Sequence, residues 1–157
     1  GFIMISQPVM MALLSPLAGK LSDKYNPGVI ASYGMGLTAT GLIMLCFINE
    51  TSPVYLIIGL LIIMGTGFAL FSSPNSNAIM SSVEKRHLGV ASGVVGTMRM
   101  VGQMLSMGIA MMLLAVYIGQ EAIVPATYSG LIAGMRTGFV IFSILCILGI
   151  FASLARR

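Results

Sequence analysis

Five long apolar runs, separated by short polar segments, constrain the fold of this sequence more than any other feature. A helix needs roughly 20 apolar residues to cross the hydrocarbon core of a bilayer. Charged residues make up only 8% of the chain, whereas a soluble domain carries roughly 25%. We therefore predict an all-α, polytopic membrane helix bundle that forms a single domain over residues 1–157. Its predicted spans are residues 2–18, 29–48, 54–80, 90–117 and 135–154.

The basic residues lie at the ends of the apolar runs and are not gathered on one face, which argues against a nucleic-acid partner. Loops 19–28 and 81–89 and the C-terminus together hold most of the Lys and Arg residues. The other side holds Arg136 with Glu50 and Glu121. Cytoplasmic loops of membrane proteins carry an excess of Lys and Arg. We therefore expect both loops and the C-terminus to be cytoplasmic, with lipid around the spans.

A polar segment at residues 16–28 joins the first two runs and carries the most specific motif. Gly19, Leu21, Asp23 and Lys24 resemble the first part of the loop signature of the major facilitator superfamily. The match stops where the signature has a second glycine and a basic pair, because Asn26, Pro27 and Gly28 stand there. The resemblance implies a conformational switch in which Asp23 faces the positive N-terminal end of a neighbouring helix. The other interpretation is that these residues simply make a soluble turn.

A second resemblance extends the first. In this chain the order of segments is a Pro74–Met80 segment, a charged loop, a Gly89–Gly93 segment and Arg99 before Gly102. The fourteen-span drug:proton antiporter branch has a similar order of segments. This resemblance implies the last five helices of a prokaryotic cell-membrane transporter that exports small lipophilic molecules by alternating access. It also implies a missing N-terminal half. We expect the isolated piece to self-associate through the face that this half would cover.

Arg99 is the most informative single residue, because it lies well inside the fourth run. A lone cation at that depth costs at least about 2.5 kcal/mol by insertion scales. It either faces a polar cavity or domain interface, or it snorkels to the inner headgroups. Gln103 lies one turn further along the same helix and is predicted to share its face.

Other uncharged polar side chains also fall within or near membrane depth. Gln7 lies in the first run, and Asn75 and Asn77 follow Pro74, where we expect a helix kink. The two asparagines either join a polar cavity lining, using groups freed by the kink, or only cap the kink near the cytoplasmic end. Similarly, the 14 methionines suit either an adaptable drug pocket or a lipid-facing surface.

The sequence holds no pattern typical of an enzyme. No acidic residue lies within an apolar run, so we predict no catalytic residue and no proton relay in this piece. Nor do the cysteines and the single histidine form a metal-binding or cofactor-binding motif. The alternative to a transporter is a small membrane scaffold or assembly subunit without transport of its own. An open reading frame that continues upstream with further spans would separate the two.

Overall fold

The computed structural model describes residues 2–49, 52–119 and 128–154. These residues form five α-helices and one short 3₁₀ turn, Lys85–His87, and no strand occurs among them. The all-α prediction is therefore confirmed. The helices are α1 (Phe2–Lys24), α2 (Pro27–Leu45), α3 (Val54–Ser81), α4 (Leu88–Tyr117) and α5 (Tyr128–Leu154).

Two helices are longer than the apolar runs that predict them. α1 continues through the motif to Lys24, and α5 already begins at Tyr128. Hydropathy marks the part of a helix suited to lipid, whereas a helix ends where its backbone hydrogen bonds end. The N-terminus of α2 is marked by a capping residue, Asn26. Its side chain accepts a hydrogen bond from the Gly28 amide at 3.0 Å. Pro27 follows as the first helical residue, a position that needs no N–H donor.

Four of the described helical segments are long and apolar enough to cross a membrane. They are Pro27–Leu45, Val54–Ser81, Lys85–Tyr117 and Tyr128–Ser153. α1 is not among them; it carries Gln7 and two internal prolines, Pro8 and Pro16.

α3 is the central helix, with α2 and α1 packed along it. Glycines bring the backbones together. A Cβ atom added to Gly34 of α2 would lie 2.6 Å from the Gly67 carbonyl oxygen and 2.6 Å from the Phe71 amide nitrogen of α3. A Cβ added to Gly65 of α3 would lie 2.6 Å from the Gln7 carbonyl oxygen of α1. Since apolar burial does not drive association in lipid, this close packing is what holds the three helices together.

α5 packs on the other side of α2 and is joined to it by polar contacts at three levels. The Ser32 and Ser153 hydroxyls lie 3.1 Å apart. The Cys146 thiol donates to the Met35 carbonyl oxygen at 3.4 Å. Arg136 donates to the Ile48 carbonyl oxygen from Nε and Nη2, at 3.3 and 3.1 Å, and Nη2 also donates to Asn49 Oδ1. These contacts of Arg136 fall on the segment that follows α2, which ends at Leu45.

α4 is the least enclosed helix. It packs mainly on α5 and approaches α3 only locally, and among the described residues none of α4 is buried. Its glycines at positions 89, 93, 96, 102 and 108 have no described neighbour within 4 Å of an added Cβ. The described residues therefore leave one face of α4 uncovered.

Candidate functional site

A cleft of about 580 Å³ separates α3 from α4. Its walls are mostly apolar, with a few polar groups among them. The lining residues are Phe68, Phe71, Ser72, Asn75, Ser76, Ile79, Val83, Ala91, Val94, Val95, Met98 and Arg99. Small-molecule sites in proteins typically measure about 300–1,000 Å³ and combine apolar walls with few polar groups. This cleft has both properties.

The two helices that form the cleft run antiparallel, because only residues 82–87 connect them. Ile79 and Val83 therefore lie at one end of the cleft, which we call the hinge end because α1 ends and α2 begins there. Phe68, Met98 and Arg99 lie at the deep end. Arg99 is the twelfth residue of α4, so it lies about 17 Å along the helix axis from Leu88, at 1.5 Å per residue. That is roughly half the thickness of a hydrocarbon core.

Asn75 and Arg99, both predicted site residues, line this same cleft. Side chains of a helix lean toward its N-terminus. Arg99 therefore leans toward the hinge end, and Asn75, on the antiparallel α3, leans toward the deep end. Neither side chain forms a hydrogen bond or ion pair with another residue that the structure describes. Both polar groups are thus available to a molecule in the cleft.

Pro74 is almost completely buried in α3, which continues as one helix across it. Its ring removes the N–H that would otherwise bond the Leu70 carbonyl. In the next turn, the Ser76 hydroxyl donates to the Ser72 carbonyl oxygen at 2.9 Å. Ser76 is therefore engaged within α3, although it also borders the cleft.

Asn77 lies on another side of α3 from Asn75 and contacts α1. Its Nδ2 donates to Ser22 Oγ at 2.8 Å, and Ser22 Oγ in turn donates to the Gly19 carbonyl oxygen at 2.7 Å. A Cβ added to Gly19 would lie 3.3 Å from Ser73 Oγ. Two positions of the loop motif, Gly19 and the small residue Ser22, therefore attach the end of α1 to α3. Sequence reasoning missed this pairing, because nothing in the sequence links two residues 55 positions apart.

The other motif residues, Leu21, Asp23 and Lys24, are exposed in the last turn of α1. Asp23 lines a groove of about 540 Å³ at the hinge end together with Lys85 and Leu88, the first residue of α4. Within the described part of the chain, α1 and α4 do not pack on each other. The N-cap residue of α4, His87, forms no side-chain capping bond among these residues. Asp23 and the positive end of α4 thus share one groove without touching.

Gln7 and Gln103 lie away from the cleft. The Gln7 backbone supports the α1–α3 contact at Gly65, and its side chain is half-buried. Gln103 is exposed on α4 and does not line the cleft with Arg99. Four residues advance a helix by about 6 Å and turn it about 40° beyond one full turn, which moves Gln103 past the deep end of the cleft.

No group of three or more His, Cys, Asp or Glu side chains among the described residues could hold a metal ion. The polar groups of the cleft are an amide, hydroxyls and a guanidinium, which hold and orient a ligand without offering a nucleophile–base pair.

Comparison with known proteins identifies the family. Residues 1–157 match the sequence profile of the Major Facilitator Superfamily. The riboflavin transporter RibZ of Clostridioides difficile is 33% identical over 99 residues, which are 63% of this chain and 22% of RibZ. The uncharacterized transporter YebQ of Escherichia coli is 34% identical over 103 residues, 66% of this chain and 22% of YebQ.

The multidrug resistance protein Stp of Mycobacterium tuberculosis is 27% identical over 118 residues, 75% of this chain and 22% of Stp. The chain thus spans about a fifth of the length of these relatives. No solved structure gave a significant match. With a family match over its whole length and helices suited to a bilayer, the chain is an integral membrane protein and belongs to the Major Facilitator Superfamily of transporters.

Proposed function

We propose that this chain is the C-terminal portion of a secondary active transporter that exports drugs or other small lipophilic molecules by proton-coupled alternating access. The single observation that carries the proposal is the α3–α4 cleft, with aromatic walls at Phe68 and Phe71 and with polar groups at Asn75 and Arg99 that no described residue engages. A cleft of this kind binds a small apolar molecule and orients it through few polar contacts.

The names of the relatives agree with an exporter of small molecules but differ in substrate. One is named for multidrug resistance and another for riboflavin. A cleft that serves several apolar molecules needs adaptable walls, and Met98 contributes such a side chain beside the two phenylalanines.

The unequal packing of the helices supports a moving part within this portion. α1, α2 and α3 are held by backbone contacts at glycines, whereas α4 approaches α3 only locally. In alternating access, one bundle rocks against another around a site near the bilayer midplane. We place the uncovered face of α4 against the N-terminal half of the transporter.

Asp23 acts in this proposal as a switch at the hinge end. A carboxylate beside the N-terminus of a helix gains about 0.3–1 kcal/mol when exposed. The groove now separates Asp23 from Leu88, so this gain would be realised only in a conformation that narrows the groove. Lys24, Lys85 and Arg86 lie at the same end, and this excess of basic residues supports a cytoplasmic position for it.

Proton coupling would use a carboxylate outside the segments described here. The described acidic residues, Asp23 and Glu84, both lie at the hinge end, and Glu84 pairs with Arg86 at 2.8 Å. We therefore assign the coupling carboxylate to the N-terminal portion of the transporter.

The test uses the full-length parent protein in proteoliposomes with an imposed proton gradient. The substrates are three fluorescent aromatic dyes, one cationic, one neutral and one anionic, together with riboflavin. We expect gradient-dependent movement of at least one of them. If none moves while the protein is folded and inserted, the alternative of a non-transporting membrane scaffold takes the place of this proposal.

A pair of phenylalanine variants tests the cleft itself. Phe71→Ala removes an aromatic wall, and loss of an aromatic contact worth about 0.5–1.5 kcal/mol lowers transport by about 2–10-fold. Phe151→Ala, on the exposed surface of α5, is the matched control and should leave transport within twofold. Equal losses in both variants would move the substrate site away from this cleft.

A further inference from the structure

We propose that Arg99 makes the α3–α4 cleft selective for planar aromatic molecules that carry an anionic group, and that it disfavours lipophilic cations. The inference rests on the proposed transport function and narrows it to a substrate class. Four observations carry it: the charge of the cleft, the depth of Arg99, the absence of a described partner for Arg99, and the arrangement of the aromatic walls.

The cleft carries one formal charge, and that charge is positive. Among the described lining residues there is one guanidinium and no carboxylate. Asp23 and Glu84 lie at the hinge end, outside the cleft lining. A lone cation attracts an anionic group and repels a cationic one, and both effects grow as a bound ligand displaces water. The electrostatics of the cleft therefore favour anions.

The position of Arg99 also limits what supplies the anion. Its Cα lies about 17 Å along α4 from Leu88, at the deep end of the cleft beside Phe68 and Met98. A phospholipid headgroup stays at the membrane surface, whereas a small molecule can enter to this depth. The depth thus favours a free ligand over a lipid.

The guanidinium is planar and presents its donors as a fork that matches a carboxylate or similar group. No described residue uses these donors. Asn75 lines the same cleft, and its side chain likewise has no hydrogen-bond partner among the described residues. Arg99 can bind the anionic group while Asn75 accepts or donates a further hydrogen bond that fixes the ligand's orientation.

The aromatic side chains complete the specificity. Phe68 and Phe71 lie one turn apart on α3 and both line the cleft near Arg99. Aromatic rings pack on other rings in offset or edge-to-face arrangements. A planar ring system carrying one anionic group can contact these rings and the guanidinium together, which neither an aliphatic anion nor an aromatic cation can do.

The experiment measures dye binding to the full-length parent in nanodiscs made only of zwitterionic lipid, so that no lipid supplies the anion. The probes are fluorescein and rhodamine 123, which share a xanthene ring and differ in charge. Fluorescence anisotropy should show fluorescein binding at least 10-fold more tightly than rhodamine 123. This comparison uses the unmodified protein, so it does not depend on any variant folding.

Three variants assign the preference to its residue. Arg99→Gln should weaken fluorescein binding at least 10-fold and leave rhodamine 123 binding unchanged or tighter, and Arg99→Lys should give an intermediate loss. Arg86→Gln removes the same charge at the exposed hinge end and should change neither affinity.

The proposal is overturned if the unmodified protein shows no preference for fluorescein, or if Arg99→Gln weakens both dyes equally. Binding is measured without a gradient, so it is independent of transport. Selective fluorescein binding with no gradient-dependent movement of any dye would contradict the proposed transport function and support the selectivity of the cleft. Gradient-dependent transport with no preference for the anionic dye would support the transport function and contradict the selectivity of the cleft.

Discussion

At the scale of single residues, two helical glycines of this chain differ in how closely other atoms approach them. Gly34 faces backbone atoms of α3 at distances that no Cβ could occupy, whereas Gly96 of α4 has no described neighbour within 4 Å. Glycine at position 34 is therefore required by the close approach of two helices. At position 96 nothing that the structure describes requires it.

This contrast gives a matched pair of variants. Gly34→Ala places a methyl group against the Gly67 carbonyl and the Phe71 amide, and such overpacking costs about 1–3 kcal/mol. Gly96→Ala should be neutral or should stabilise α4 by up to about 1 kcal/mol, because alanine favours a helix. Thermal unfolding in mild detergent, followed by circular dichroism, measures both. A lower unfolding temperature for Gly96→Ala than for Gly34→Ala would contradict the packing described here.

The sequence identified Arg99, Asn75 and Asn77 as notable polar residues at or near membrane depth, but not their surroundings. Asn75 and Asn77 are two residues apart, and a helix separates such residues by about 200° around its axis. One therefore lines the cleft and the other binds Ser22 of α1. Which asparagine lines the cleft and which contacts α1 depends on where α1 packs on α3. The sequence around the two asparagines does not contain that information.

At the scale of helices, hydropathy predicts their existence well and their ends poorly. All five predicted runs lie within or largely within observed helices. The extension of α1 to Lys24 falls in a segment that is too polar for a span, whereas α5 begins at Tyr128, seven residues before the predicted run and within a stretch apolar enough to cross a membrane. A polar segment is equally compatible with a loop and with a helix that continues beyond the membrane.

Arg136, near the start of α5, links this helix to the segment that follows α2. Its contacts with Ile48 and Asn49 join the first part of α5 to the segment that follows α2. Hydrogen bonds to charged groups are worth about 1.5–3 kcal/mol, so we expect Arg136→Gln to reduce the free energy of unfolding by about that amount. Thermal unfolding in detergent is the measurement.

Arg86→Gln is the control for this prediction. Arg86 pairs with Glu84 where both side chains are largely exposed, at 75% and 69%, and such pairs contribute about 0–1 kcal/mol. Arg136→Lys should recover part of the loss, since it keeps the charge and loses the fork. If Arg86→Gln destabilised the protein more than Arg136→Gln, the contact with the segment that follows α2 would not have the role assigned to it.

At the scale of the whole molecule, the family is predictable from the loop motif because the motif consists of residues close together in the sequence, whereas the contact that the motif makes is long-range. Gly19 and Ser22 both serve the junction of α1 and α3. The substrate is not predictable in the same way, because a cleft is formed by side chains from two helices and its charge depends on which of them face each other.

The orientation in the membrane is open to direct measurement. With Cys46 and Cys146 replaced by alanine, single cysteines at Lys85→Cys and Ser52→Cys lie at opposite ends of α3. A membrane-impermeant maleimide should label Ser52→Cys in intact cells and label Lys85→Cys only after the cells are opened. The reverse pattern would place the hinge end outside.

The uncovered face of α4 predicts the behaviour of the chain when it is produced alone. Its exposed side chains include Met104, Met107 and Met111. If this face meets an N-terminal half, as proposed above, we expect it to pair with another copy when that half is absent. Light scattering of the purified chain in mild detergent should then give a mass above that of one protomer, and a monodisperse monomer would contradict the expectation.

The bond from Asn77 to Ser22 has a thermodynamic consequence for the intact transporter. It links the end of α1, where Asp23 lies, to α3, so that the two should move together. α4 borders both the cleft and the groove beside Asp23. A ligand that changes the separation of α3 and α4 therefore also changes the span across that groove. Because coupling between two equilibria is reciprocal, a change that favours a narrow groove must then also alter the affinity for that ligand.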